Sequence, residues 1–173
     1  MVHKLRPLIK NKNHNEKIIQ YILGGAVMNM FIGREQELSL LRGVLKKPSA
    51  SVMIYGKRKV GKTTLIQYAL RDASDPFVYF ECLKSTLSDN VNGFVTELVR
   101  QKVLPVPLSF GSFVDVFAYL NSLGKTLNVV IDEYPYLKTM TKPEIVDSLF
   151  QTIIDNHIGK IRLFLSGSHI GMM

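Results

Sequence analysis

The stretch Gly56-Lys57-Arg58-Lys59-Val60-Gly61-Lys62-Thr63-Thr64 combines residue types and spacing that can do chemistry. It fits the pattern G-x-x-x-x-G-K-[ST], after an apolar run (SVMIY, 51–55) and before a helical pattern reaching about Arg71. Gly56 and Gly61 permit backbone angles and close approaches that a side chain would block. Successive N–H groups of the loop, with the positive end of the following helix, then form a cradle for phosphate oxygens. In such a loop Lys62 reaches the β- and γ-phosphates and the Thr63 hydroxyl coordinates Mg²⁺. Lys57, Arg58 and Lys59 occupy free positions of the pattern, where they raise the local potential for a polyanion or point to solvent.

A second element appears where the first predicts it. Val129-Val-Ile-Asp132-Glu133 reads as an apolar strand ending in two carboxylates, Asp132 for the Mg²⁺ shell and Glu133 as the base that polarises an attacking water. Another strand-like run, residues 77–82, lies between the loop and Asp132. That extra strand and the adjacent glutamate fit the division of P-loop proteins that hydrolyses with this residue, rather than small GTPase-like chains. There is no N/T-K-x-D segment to read guanine, so ATP is favoured over GTP. The last strand-like run ends in Leu165-Ser166-Gly167-Ser168, where Ser166 or Ser168 either hydrogen-bonds the γ-phosphate or the attacking water, or is an ordinary turn residue.

These residues need a frame, and from Met30 onward helical and strand-like patterns alternate, which predicts an α/β domain. Helices are expected over residues 35–46, with Leu38, Leu41 and Leu45 on one face, and over 90–102 and 112–122, separated by a turn at Pro105 and Pro107. A further helix is expected to start from the capping pattern Thr141-Lys-Pro-Glu144, with Ile145, Val146, Leu149, Phe150, Ile153 and Ile154 forming its apolar stripe. Strands are expected over 51–55, 77–82, 127–131 and 161–165.

The 173 residues are 46% hydrophobic and 21% charged, which suits one globular domain with a real core and argues against disorder. The longest apolar stretch, residues 21–32, is broken by Gly24, Gly25 and Asn29 and falls short of the ~20 residues of a spanning helix, so no membrane insertion is expected. The location expected is the cytoplasm. The lone cysteine, Cys82, reads as a small core residue. Of the net charge of +8, half lies in residues 1–29, which hold five Lys or Arg against one Glu. This basic leader reads as a solvated arm outside the fold of residues 30–173, with contact to nucleic acid or an anionic surface as the alternative.

Four blocks, Met30-Phe-Ile-Gly-Arg-Glu35, the phosphate loop, Ile131-Asp-Glu-Tyr-Pro-Tyr-Leu137 and Leu165-Ser-Gly-Ser168, together resemble the archaeal-type ATPase family, a branch of the AAA+/STAND P-loop ATPases. The resemblance runs from about Met30 to the end. It implies a three-layer α/β/α sandwich with a mostly parallel sheet, in which the 161–165 strand separates the Asp132 strand from the phosphate-loop strand. It also implies that Phe31, Ile32 and Arg34 lie at the base end of the nucleotide. Family members continue past the Ser-Gly-Ser segment into a fifth strand, a helical lid and further regions. The chain therefore reads as a C-terminally incomplete core whose phosphate-loop strand lacks a neighbour on one side, a pairing hazard.

Three functions follow as expectations. The first is an ATPase binding ATP and ADP with Mg²⁺, in which Lys62, Asp132, Glu133, Ser166 and Ser168 carry the chemistry and residues 56–64 the phosphates. The second is a nucleotide-gated switch with little turnover. The third is a nucleic-acid-associated protein using Lys57, Arg58, Lys59 and the leader on phosphates. A DNA or protein partner, or self-association into an oligomer, is compatible with each. Tyr134, Tyr136, Met172 and Met173 are expected in core contacts more than at a partner surface.

Overall fold

The structure, a computed structural model, describes residues 18–23, 26–31, 34–71 and 73–168. Along the chain these form β1 (Ile18–Leu23), β2 (Ala26–Phe31), α1 (Arg34–Leu45), β3 (Ala50–Gly56), α2 (Lys62–Arg71) and β4 (Phe77–Glu81). They continue as α3 (Leu87–Arg100), α4 (Phe113–Ser122), β5 (Leu127–Asp132), a 3₁₀ turn (Tyr134–Lys138), α5 (Pro143–Asn156) and β6 (Ile161–Ser168). The described strands make one sheet in the order β2-β1-β3-β6-β5-β4. The four strands from β3 to β4 are parallel, and β6 lies between the phosphate-loop strand and the Asp132 strand.

Alternation along the strands sorts their side chains between two helical layers. Val78 and Phe80 of β4, Val129 and Ile131 of β5, and Leu163 and Leu165 of β6 join the larger core under α3, α4 and α5. Val52 and Ile54 of β3, Val130 and Phe164 face the other way, onto Leu41 and Val44 of α1 and Ile66 and Leu70 of α2. Helices on both faces of a mostly parallel sheet give the α/β/α sandwich, with strands that are apolar on both sides. The same parity puts Tyr79, Asp132, Ser166 and Ser168 on the α2 face. Cys82 is a buried core residue, and burial, followed by the nearby Asp132 charge, pushes its thiol pKa up.

Three details depart from the sequence reading. The side of β3 expected to lack a neighbour is taken by β1, antiparallel, from Ile18 opposite Tyr55 to Ile22 opposite Ser51. Residues 18–23 and 26–29, assigned to a leader outside the fold, therefore pair within the sheet. α5 does not start from a Thr141 box: Lys142 is its N-cap, with ψ 129° and no side-chain cap bond. The reason is Pro143, whose ring disfavours helical backbone in the residue before it, so the helix opens at the proline itself. Reciprocal capping is found instead at α3, where the Thr86 hydroxyl accepts from Asp89 N–H and the Asp89 carboxylate accepts from Thr86 N–H. In the α5 stripe Val146, Phe150 and Ile153 are buried, whereas Ile145 is 49% exposed and belongs to the surface.

Candidate functional site

β3 ends at Gly56 and α2 begins at Lys62, so the chain must reverse within a few residues. It does so through left-handed backbone at Lys59 (φ 64°) and Gly61 (φ 80°). Alternation of hand in such a loop turns successive N–H groups toward one concavity, the geometry that holds anions. Lys59, Gly61, Lys62, Thr63 and Thr64 line one side of a cleft of about 310 Å³, and Glu133 and Ser168 the other. Lys57, Arg58 and Lys59 are exposed. Of the three, Lys59 lines the cleft.

Lys62, only 7% exposed, donates from Nζ to the carbonyls of Gly56 and Lys57, both at 3.1 Å, and to Ser168 Oγ at 3.4 Å. Ser168 Oγ in turn donates to Glu133 Oε1 at 3.0 Å, while its N–H donates to Oε2 at 3.3 Å. A hydrogen-bonded chain thus links Lys62 to Glu133. Strand alternation would send Glu133 to the face opposite Asp132. Its left-handed backbone (φ 49°) ends the alternation and brings the carboxylate back to Ser168.

Asp132 is 4% exposed and accepts four hydrogen bonds. Oδ1 accepts from Ser166 Oγ and from the Glu133 N–H at 2.9 Å. Oδ2 accepts from Thr63 Oγ1 at 2.5 Å and from the Tyr79 hydroxyl at 2.6 Å. Burial pushes the Asp132 pKa up, but these four donors outweigh it and hold the carboxyl below its ordinary range. Tyr79 moves the other way, since burial and then its bond to Asp132 keep the phenol protonated.

The sequence-predicted residues 59–64, Asp132, Glu133, Ser166 and Ser168 thus come together, with the serines bonded to the two carboxylates. Phe31 closes β2 and Arg34 opens α1; Ile32 lies outside the described residues, as do Met172 and Met173. Tyr134 is buried and donates to Asp147 Oδ1 at 3.0 Å, and Tyr136 packs against the larger core with Lys84 Nζ 4.8 Å from its ring centroid. Sequence reasoning missed Tyr79, whose meeting with Asp132 depends on the register between β4 and β5. It also missed Gly167, where an added Cβ would stand 2.3 Å from Pro135 Cδ, so the turn carrying Glu133 packs directly on β6.

The donor set can be tested against Mg²⁺. Thr63 and Asp132 present two hard oxygens beside the cleft. This suits a cation that takes one or two protein oxygens, keeps several waters and shares phosphate oxygens. No helix of the described residues is long and apolar enough to cross a membrane.

Residues 31–173 match the family model for an ATPase domain predominantly from Archaea. An uncharacterised protein of Methanocaldococcus jannaschii is 33% identical over 147 residues, 83% of this chain and 31% of that protein. Subunit 5 of the origin of replication complex of Arabidopsis thaliana is 38% identical over 60 residues, 33% of this chain and 11% of that protein. Among solved structures, a Walker-type ATPase of Pyrococcus abyssi superposes with TM-score 0.56 at 20% identity, over 80% of this chain and 45% of its own. The ORC2 protein of Aeropyrum pernix, in ADPNP and ADP complexes, gives 0.56 at 18%, over 78% and 41%. The chain spans about a third of its Methanocaldococcus relative and under half of either solved chain. With the family model covering most of the sequence and the fold agreeing, this chain belongs to the ATPase-domain family found predominantly in Archaea, a family of nucleotide-binding ATPases.

Proposed function

We propose that the chain binds ATP with Mg²⁺ in the cleft between the 56–64 loop and the ends of β5 and β6, and hydrolyses it. The observation that supports this reading is the Lys62–Ser168–Glu133 hydrogen-bonded chain beside the Thr63–Asp132 pair, with Lys62, Thr63, Glu133 and Ser168 lining one cleft. Mg²⁺ held by Thr63 and Asp132 would supply charge neutralisation on the phosphates. Lys62 exchanges its carbonyl partners for phosphate oxygens and neutralises charge that grows toward the transition state. Glu133 orients a water, and Ser168, already bonded to its carboxylate, fixes where that carboxylate points. Ser166 holds Asp132 rather than the nucleotide. Phe31, Ile32 and Arg34 are assigned to the base end.

Titration of ATP with and without Mg²⁺, alongside phosphate release, tests the reading. Lys62→Ala is expected to abolish Mg²⁺-dependent binding. Glu133→Gln is expected to keep binding and reduce turnover about 10²–10⁴-fold. Turnover unchanged in Glu133→Gln would remove Glu133 from its role. Tight ATP binding without turnover in the parent chain would favour a nucleotide-gated switch. Exposed Lys57 and Arg58 favour DNA as a partner, and salt-dependent DNA binding sensitive to their removal would support it.

A further inference from the structure

Resting on that reading, we propose that Tyr79 is a positioning residue holding, on Asp132 Oδ2, the acceptor place that a divalent cation's shell takes when the cleft is loaded, so that loading releases its hydroxyl. An ionised carboxylate offers about four lone-pair sites, and on Asp132 four donors already occupy them. Any cation shell reaching Asp132, by a direct bond or through a water, needs one of those places. The Glu133 N–H belongs to the adjoining peptide and can withdraw only by undoing the left-handed turn that aims the Glu133 side chain. The Ser166 hydroxyl is 1% exposed and would be left buried without an acceptor, an unfavourable state. Thr63 can keep donating its proton while its oxygen lone pairs face a cation. Tyr79 remains. It reaches Asp132 from the neighbouring strand, is only partly buried, and can turn its hydroxyl toward water.

The backbone beneath it is arranged for such a change to stay in the side chain. Gln101 at the end of α3 accepts from Tyr79 N–H at 2.9 Å and donates Nε2 to Tyr79 O, also at 2.9 Å, and the same Nε2 donates to Glu97 Oε2 at 2.6 Å. The strand is clamped while the phenol exchanges partners.

The test is Mn²⁺ affinity, followed by electron paramagnetic resonance, of the whole chain with a non-hydrolysable ATP analogue, in the parent and in Tyr79→Phe. The phenylalanine no longer competes for Asp132, and Mn²⁺ is expected to bind about tenfold tighter, the scale of one hydrogen bond to a charged group. The parent alone supplies a second readout: addition of Mg²⁺ to the nucleotide-loaded chain should change its near-ultraviolet tyrosine absorption, and Tyr79→Phe should lack that change. Unchanged or weaker Mn²⁺ binding in Tyr79→Phe, or no tyrosine signal in the parent, overturns the proposal while nucleotide binding stands. Failure of the parent to bind nucleotide and metal at all overturns the ATP reading and this proposal together.

Discussion

The two ends of the parallel sheet each bury a polar network, and they answer charge in opposite ways. At the N-terminal end of β6, Arg162 is 6% exposed and donates to Lys47 O at 2.6 Å, to Asp75 Oδ2 at 2.8 Å and to Asn128 Oδ1 at 3.3 Å. Cation meets carboxylate there, and Asn128 completes the clasp by donating to the carbonyls of Asp75 and Pro76. At the C-terminal end the charge of Asp132 is met by three hydroxyls and one N–H, all neutral, while Lys62 donates to two carbonyls and Ser168. The first network is closed on itself and serves the fold. The second meets a carboxylate with four neutral donors beside an open cleft, so that a cation reaching it takes the place of one of them.

This contrast can be broken from either side. The largest effect is expected from Arg162→Met, which removes the cation from the closed end and should lower stability by about 2–4 kcal/mol in denaturant unfolding, with ATP affinity of the folded fraction unchanged. A loss of affinity equal to that of Lys62→Ala would show that the two ends are not separable. Gly167→Ala acts at the open end by pressing on Pro135, and should cost about 1–3 kcal/mol while reducing turnover more than ATP affinity, because it displaces the turn that carries Glu133.

The open end also responds to acid. Folding holds the Asp132 carboxyl below its ordinary value, so the unfolded chain takes up its proton first as pH falls. The contribution is therefore complete above about pH 4, the unfolded-state value, and is lost as pH falls through the lower folded-state value. Asp132→Asn should give a stability profile with a shallower fall in that window, measured by urea unfolding at each pH. The smallest effect is expected on the loop's outer face. Alanine at Lys57 and Arg58 together should change Mg·ATP affinity less than about threefold at physiological salt, and less than Lys59→Ala alone, because Lys59 lines the cleft.

What was legible in the sequence followed from chemistry that constrains the backbone locally. A phosphate loop needs its glycines, lysine and hydroxyl at fixed spacing, and strand parity then places Asp132 and Ser166 on one face. Tyr79 was not legible because its meeting with Asp132 depends on register between strands some fifty residues apart, which no local pattern specifies. The start of α5 is written in the sequence at Pro143, because the proline rule outranks the Thr-x-x-Glu spacing when both compete for one turn. The apolar stretch 21–32 reads as too short and too broken for a membrane span, and the pairing of β1 with β2 within it was not among the expected strands.

The pairing of β3 on both sides also has a kinetic meaning. Its partner β1 lies about thirty residues away and runs antiparallel, whereas its other partner β6, opposite from Ala50–Arg162 onward, lies more than a hundred residues away and runs parallel. Closing the longer loop costs about 1 kcal/mol more chain entropy, and remote parallel pairing is intrinsically the slower event. The phosphate-loop strand can therefore be framed early by β1, while its pairing with β6 is the slower closure. Ser166 and Ser168 meet their carboxylates through the nearer pairing of β5 with β6, so the two sides of the cleft are expected to come together when β3 meets β6.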